Sequence, residues 1–394
     1  MNANPLSMAG HTQVFYNKDL RIIFGVTLIA VMGVASVTPA FPAIIKVLNI
    51  SPAEVGLLVT VFTLPGIILT PVLGVYADIY GRKKILIPSL FLFSLAGIAC
   101  GFTRDFNVLL IFRFLQGVGA SSLGSLNVTV IADLFSGKDR SSAMGYNASI
   151  LSMGTAAYPL LGGALATLGW NYPFFLPILA IPVGLLVLIS LKNPEPMKKL
   201  ELKVYLKETF KSVRKKDALG LFIASTFTFI ILYGSYLTYF PVLMDSRFRA
   251  YPWMIGLILS AMSVTTALAA SQLGKLTARY SAKRLLLFAY LVYAVGLLLI
   301  TQITSLWWLI LPAIIFGLGH GINIPCIHTL LASMAPLEFR ASFMSFNGMV
   351  LRLGQSLGPL IMGLVLGLSS LSGVFIAGAV FSLCMMGLLG IIMK

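Results

Sequence analysis

Long apolar stretches with almost no charge recur along the whole chain, separated by short segments that collect most of its polar and charged residues. A run of roughly 18 such residues crosses the hydrocarbon core of a bilayer as a helix. The alternation predicts twelve spans, near residues 22–45, 54–77, 85–102, 106–132, 140–168, 172–191, 218–241, 253–274, 285–302, 306–333, 340–368 and 372–392. The first run is too long for the core of a secretory signal, and its polar leader has no small-x-small cleavage site at the right distance, so it counts as a span. The pattern therefore predicts an all-α polytopic membrane protein.

The chain also echoes itself at a fixed offset of 200 residues. GVYADIYGRKK (74–84) returns as GKLTARYSAKR (274–284), with Ala278 at the place of Asp78 and Ser281 at that of Gly81. The echo continues without a register shift: Gly56 with Gly256, Gly117 with Gly317, Arg140 with Arg340, Asn147 with Asn347, Gly154 with Gly354, Pro159 with Pro359 and Gly163 with Gly363. A duplicated unit of six spans explains this, with both copies parallel because six is even. The organisation expected is a leader (1–21), a first six-helix bundle (22–191), a linker (192–217) and a second bundle (218–394). In the linker Leu202, Leu206, Phe210 and Val213 recur at helical spacing among eight Lys and Arg between Lys198 and Lys216. It reads as a basic surface helix on an anionic leaflet.

Composition agrees: 58% of residues are hydrophobic and 10% charged, against about a quarter charged in soluble domains. A net charge of +16 could suggest nucleic acid, but its placement gives another reason. With the N-terminus inside, 22 of the 28 Lys and Arg fall in inside segments; Lys46, Arg104, Arg247 and Arg249 fall outside, and Arg113 and Arg352 within spans. This bias puts both termini in the cytoplasm. Trp170, Trp253, Trp307 and Trp308 all fall at outer span ends, as an interfacial aromatic belt would. The lipid bilayer is the partner implied, not nucleic acid. Cys100, Cys326 and Cys384 lie in apolar spans with no CxxC pair and read as packing residues, not as disulfide partners or metal ligands.

Three motifs resemble those of the major facilitator superfamily. GVYADIYGRKK resembles its signature between the second and third helices, G-x-x-x-D-x-x-G-R-K/R-K/R. LLIFRFLQGVGA (109–120) resembles the Arg-bearing fourth-helix motif of the drug–proton antiporter branch. GTAAYPLLGG (154–163) resembles the fifth-helix antiporter motif G-x-x-x-G-P-x-x-G-G at Gly154, Pro159, Gly162 and Gly163, with Tyr158 where the motif has glycine. GQSLGPLIMG (354–363) is the better-formed copy. The resemblance covers essentially the full length. It implies the major facilitator fold, two pseudo-symmetric six-helix bundles that rock about a midplane site, and most specifically export in exchange for protons. It also implies a cytoplasmic latch of Gly74, Asp78, Gly81, Arg82, Asp133 and Arg140. In it Asp78 would accept bonds from free amides at the start of the eleventh helix, and Arg82 would pair with Asp133.

Charges inside spans mark candidate sites by default. At about 100° per residue, Gln116, Gly117, Ala120, Gly124 and Asn127 lie within about 60° of Arg113, whereas Asp133 is about 200° away. Arg113, Gln116 and Asn127 are thus expected to share a cavity face. Arg352 lies ~18 Å into the eleventh span, near the midplane, with Ser345, Gln355 and Ser356 on its face. His320 and Asn323 share a face of the tenth span, with His328 turned ~80° away from His320. The first and seventh spans offer Thr27, Ser36, Thr228, Tyr233, Tyr236 and Tyr239. The substrate cavity expected is Arg113, Gln116, Asn127, Tyr236, His320, Asn323, Arg352 and Gln355. No acid lies deep in any span, so an alternative substrate class is anionic or zwitterionic metabolites.

No cofactor or metal is expected, and no enzyme: three histidines, three scattered cysteines and no deep carboxylate assemble neither a zinc site nor an acid–base pair. A receptor or sensor would call for a soluble domain or a long tail, and none is visible. The absence of G-x-x-x-x-G-K-S/T fits energy drawn from an ion gradient, with Asp78, Asp133 and His320 as the groups available to carry protons. A monomer with a small-molecule substrate is expected, in a cell membrane compatible with a bacterial inner membrane.

Overall fold

The computed structural model describes residues 14–191, 216–334 and 340–393. The leader up to residue 13, the linker over 192–215 and the side chains of Arg340 and Ser345 lie outside the described residues. Among the described residues, twelve helices are long and apolar enough to cross a membrane. They are α1 (Lys18–Leu48), α2 (Glu54–Tyr80), α3 (Arg82–Phe102), α4 (Phe106–Leu134), α5 (Gly137–Leu168), α6 (Tyr172–Ser190), α7 (Asp217–Phe248), α8 (Pro252–Ser271), α9 (Ala282–Gln302), α10 (Leu306–Met334), α11 (Arg340–Leu368) and α12 (Leu371–Ile392). Twelve is even, so the start of α1 and the end of α12 share one face of the bundle, here the terminal face. The opposite, distal face carries the turns after α1, α3, α5, α7, α9 and α11.

The buried apolar side chains form two cores. One runs from Val14 to Leu191 and takes only Val242 from the rest of the chain. The other runs from Ala218 to Met393. Within each, short hydroxyl–amide ties fix helices that have no hydrophobic reason to choose one rotation in lipid. Thr27 Oγ1 donates to Asn147 Oδ1 (2.6 Å) and accepts from Asn127 Nδ2 (2.9 Å). In the second half Ser225 Oγ donates to Asn347 Oδ1 (3.0 Å), and Thr228 Oγ1 donates to Asn323 Oδ1 (3.0 Å).

Arg113 is part of the first core. Its side chain is 1% exposed. Nε donates to the Leu58 carbonyl (3.1 Å), and Nη1 donates to the Gly33 carbonyl (2.9 Å) and to Gln116 Oε1 (2.7 Å). The guanidinium lies 4.3 Å from the Phe62 ring centroid. A buried charge is costly unless its donors are used; here two backbone carbonyls and an amide take Nε and Nη1, while Nη2 has no hydrogen-bond partner among the described residues. Arg113 ties α1, α2 and α4 together.

The two helices that open the halves are both irregular at matching places. α1 is helical over Lys18–Ala35, tightens to a 3₁₀ turn at Thr38–Ala40 and resumes at Phe41–Leu48, because Pro39 and Pro42 withhold amide donors. α7 instead widens to a π-helix over Ile231–Tyr239. Thr238 Oγ1 donates to the Tyr233 carbonyl five residues back (2.6 Å), and Gly234 lies backbone to backbone against Gly358.

The halves meet near the distal face through one contact used twice. An added Cβ at Gly56 of α2 would lie 3.0 Å from Pro359 Cβ of α11, and one at Gly256 of α8 would overlap the Pro159 carbonyl of α5. Gly163 lies likewise against Pro252 and Trp253, and Gly363 faces Ala53. Apart from Pro252, every partner in this set is related to another by the 200-residue offset. Thr60 Oγ1 donates to the Ser356 carbonyl (3.0 Å), and the Thr63 and Ser356 hydroxyls bond at 2.8 Å. An exposed pair, Lys46 Nζ to Asp245 Oδ1 at 2.7 Å, closes the distal rim between α1 and α7. Toward the terminal face the contacts run out. Gly74, Gly145, Gly274 and Gly348 have nothing within 4 Å of where a Cβ would be. The halves enclose a cleft sealed distally and open terminally.

Among the tryptophans, Trp253, Trp307 and Trp308 are open at helix ends, but Trp170 is 7% exposed. It packs on Phe174 beneath Arg104, whose guanidinium lies 5.2 Å from its ring centroid, and so belongs to the core instead of the belt.

Gly256→Val should force the distal seal apart. Spin labels at Ser51→Cys and Ser246→Cys, in a chain without its native cysteines, should show a longer and broader distance distribution than with Gly256 intact. Arg113→Ala strips partners from two buried carbonyls and Gln116, at about 1–3 kcal/mol per unsatisfied group. It should lower the thermal midpoint of the purified protein clearly more than Arg352→Ala does.

Candidate functional site

The cleft is where polar groups of one half reach the other. Arg352 of α11 is only half-buried and crosses from the second half to the first. Its Cδ and Nε would lie 3.1 and 3.2 Å from a Cβ at Gly66 of α2, and its Nη2 4.0 Å from one at Gly124 of α4. The two glycines make the room that the guanidinium occupies. Nη1 donates to Gln355 Oε1 on its own helix (3.1 Å). That is the one hydrogen bond found for its side chain, and no described carboxylate forms an ion pair with it.

An aromatic wall continues from Arg352 along the second half. Tyr233 is half-buried and packs against the cores of both halves. Its ring is 5.9 Å from that of Phe229, which meets the His320 ring edge-on at 6.5 Å. His320 Nδ1 and the Tyr293 hydroxyl are 2.6 Å apart. Tyr293 is fully buried and holds the imidazole from behind.

The structure divides the eight residues expected in the cavity. Arg352, Gln355 and His320 lie along the cleft. Arg113, Gln116 and Asn127 are enclosed in the first core, and Tyr236 and Asn323 in the second. Asn127 Nδ2 and Asn323 Oδ1 are held by the hydroxyl ties inside their cores, and Tyr236 stacks on Phe316 with centroids 4.7 Å apart. The α4 stripe is real, but its wide side faces α1 and α2, so only Gly124 at its terminal part reaches the cleft. Tyr236 is displaced by the π-helix. At about 100° per residue it would fall within about 20° of Phe229, but the wider turn rotates less per residue and leaves Tyr233 facing the cleft. Tyr233 is the residue the helical wheel misses.

The turn between α2 and α3 shows why the two copies of the repeat differ. Gly81 has φ 100°, a conformation open chiefly to glycine. Ser281 has φ −65° and caps α9, its Oγ accepting from Arg284 N at 3.4 Å. Arg82 pairs with Asp78 one turn before it, and its Nε donates to Asp133 Oδ2 at 3.1 Å. At the matching positions stand Ala278, Ala282 and Ser333, so all three members are exchanged together. Lys83 and Lys283, in contrast, share one job. Lys83 Nζ donates to the Leu188 and Leu191 carbonyls at the end of α6, and Lys283 Nζ to those of Gly390 and Met393 at the end of α12. Arg140 is exposed at the start of α5, and Gly74 faces open space. No hydrogen bond or ion pair joins residues 74–84 to the second half among the described residues. Of the fifth-helix motif, Gly162 packs on the Ser36 carbonyl of α1, Gly154 on Leu28 and Val31, and Gly163 and Pro159 on α8.

Known proteins share this design. The chain is 25% identical over 355 residues to multidrug resistance protein 2 of Bacillus subtilis (strain 168), covering 88% of each chain. It is 26% identical over 380 residues to the multi-drug resistance efflux pump PmrA of Streptococcus pneumoniae, covering 93% of this chain and 94% of that one. The crystal structure of the nucleoside transporter NupG superimposes with a TM-score of 0.78 at 14% identity, over 96% of this chain and 99% of that chain. A bacterial homologue of the lysosomal transporter Spinster, in an inward-facing and occupied conformation, superimposes with a TM-score of 0.77 at 17% identity, over 99% and 97%. Both show the fold. The profile of the Major Facilitator Superfamily matches residues 23–253 and 248–393, and with twelve spans in two repeated halves the chain belongs to that superfamily of secondary active transporters.

Proposed function

We propose that the protein exports small organic solutes, drug-like compounds among them, in exchange for protons. The observation that carries this reading is the cleft itself: open on one face, closed on the other by a seal without covalent or extensive ionic ties. The drug-efflux names of relatives aligned over about nine-tenths of the chain support the export direction. The Lys and Arg bias supports a cytoplasmic terminal face, so the conformation described here is the one that loads from inside. Each chain holds a whole cleft, consistent with action as a monomer.

Solute enters from the terminal face and reaches the wall of Arg352, Tyr233, Phe229 and His320. Rocking then separates Gly56 from Pro359 and Gly256 from Pro159 while the terminal ends close. In the closed form the Asp78–Arg82–Asp133 cluster meets the start of α11, where free amides suit a carboxylate. Coupling to protons needs a group that titrates near neutral pH in contact with the cleft. His320 is the candidate along the wall, since the described acids all lie near helix ends or in turns.

In everted membrane vesicles, an imposed pH gradient acid inside should drive uptake of fluorescent drug-like solutes, and collapsing it with nigericin should abolish uptake. Uptake that persists without any ion gradient would refute proton exchange. His320→Gln should lower gradient-driven uptake at least tenfold and solute–solute exchange at equal pH by much less. An equal loss of both would leave His320 a solute contact with no part in proton exchange.

A further inference from the structure

The two arginines buried in the membrane differ in one respect with a chemical consequence. Arg113 spends Nε and Nη1 on Leu58, Gly33 and Gln116, and its Nη2 is closed inside the core without a hydrogen-bond partner among the described residues, where no ligand can reach it. Arg352 uses one, on Gln355, and the rest of its fork points into the seam between the halves. A guanidinium presents five N–H donors in a plane that matches a carboxylate bidentately. At mid-membrane, without an acidic partner among the described residues, an arginine of this kind is costly unless it meets water or a ligand. The described carboxylates (Asp19, Glu54, Asp78, Asp105, Asp133, Asp139, Asp217 and Asp245) all stand at the ends of helices or in turns.

The surroundings of that fork are aromatic. Tyr233, Phe229 and His320 run on from it with successive ring centroids 5.9 and 6.5 Å apart, half-buried and so open on one side. Gly66 and Gly124 keep the opposite wall free of side chains. We infer that the cleft holds a binding site for planar aromatic carboxylates, with Arg352 as the anion anchor and Tyr233, Phe229 and His320 as the ring platform. This rests on the transporter reading above and narrows its substrate class. A cationic ring of the same shape meets an uncompensated positive charge at low dielectric and is disfavoured.

The anchor also sits at the mechanical seam. One helical turn beyond Arg352, Ser356 is bonded to Thr60 and Thr63, and Pro359 rests on Gly56. An anion held by Arg352 against α2 and α4 therefore touches the segment of α11 that must move for the distal seal to open.

The test uses the full chain in nanodiscs without any ion gradient, with 1-naphthoate as the probe and empty nanodiscs as the partition control. 1-Naphthamide and 1-naphthylmethylammonium carry the same ring with neutral and positive groups, and cyclohexanecarboxylate carries the anion without the ring. Naphthoate should bind at least tenfold more tightly than the amide or the ammonium, and severalfold more tightly than cyclohexanecarboxylate. Arg352→Gln should erase the preference for naphthoate over naphthamide, Arg352→Lys should weaken naphthoate binding about tenfold, and Gly66→Val should weaken it by crowding the anchor. Unaltered thermal midpoints for Arg352→Lys and Gly66→Val exclude misfolding as the cause. An ammonium ligand bound as tightly as naphthoate, or an Arg352→Gln protein that keeps the preference, overturns the site. Naphthoate binding without gradient-driven export would overturn proton exchange and leave this site standing.

Discussion

The close approach of glycine on one half to proline on the other is the constraint on which the molecule turns. Lipid tails are as apolar as leucine, so two bundles in a membrane gain little from hydrophobicity alone and associate through close packing. Gly56 against Pro359 and Gly256 against Pro159 supply that packing twice, at positions created by one duplication. A side chain at either glycine would hold the helices apart. What accompanies the contact is weak: two hydroxyl bonds at Ser356 and an exposed Lys46–Asp245 pair, of a class contributing about 0–1 kcal/mol. A seal made by shape and few polar bonds is tight when formed and can be released without exposing buried charge. That is the property an alternating cleft requires.

Charge is distributed to the same end. Arg113 is locked into the first half by carbonyls from two helices and moves with that half as a rigid unit. Arg352 is left with free donors at the seam. The Asp78–Arg82–Asp133 cluster exists in one copy, and its counterpart is neutral at all three positions. Keeping one member alone would leave an unpaired charge at a helix end, so exchange of the whole set is the stable alternative. Lys83 and Lys283 persist in both copies because both close the carbonyl ends of a following sixth helix. Their retention comes from capping as well as from topology.

The twelve spans and the duplication are legible in the sequence because each follows from a period, and the pairing of Arg82 with Asp133 is legible through the family resemblance of GVYADIYGRKK. Burial inside the bundle was harder to read. The stripe from Arg113 to Asn127 was correct as a stripe, but a wheel has no zero, and nothing in one sequence says whether the stripe faces the cleft or the neighbouring helices. Tyr236 was placed by a rotation that holds only for a regular helix, and Ile231–Tyr239 is not one. Tyr233 had a sequence signal in hindsight: Gly234 beside it and Gly358 two hundred residues from the Tyr158 anomaly mark where α7 and α11 come into backbone contact. Trp170 lies at a span end like the other tryptophans, and its burial follows from Phe174 four residues on and from Arg104, which arrives from the turn before α4.

The duplicated halves diverge most where they meet the cleft. α1 and α7 begin their halves and break at matching positions, one by tightening around Pro39 and the other by widening before Pro241. Widening turns Tyr233 outward beside Phe229 and His320. The first half then contributes glycines, Gly66 and Gly124, and the ionic cluster at the terminal face. The second contributes the rings and the open guanidinium. Identical halves would present the same groups from both sides and bind a symmetric ligand. With ring and anchor on one side and smooth backbone on the other, the cleft can hold a small asymmetric solute against the second half while the first half slides past it.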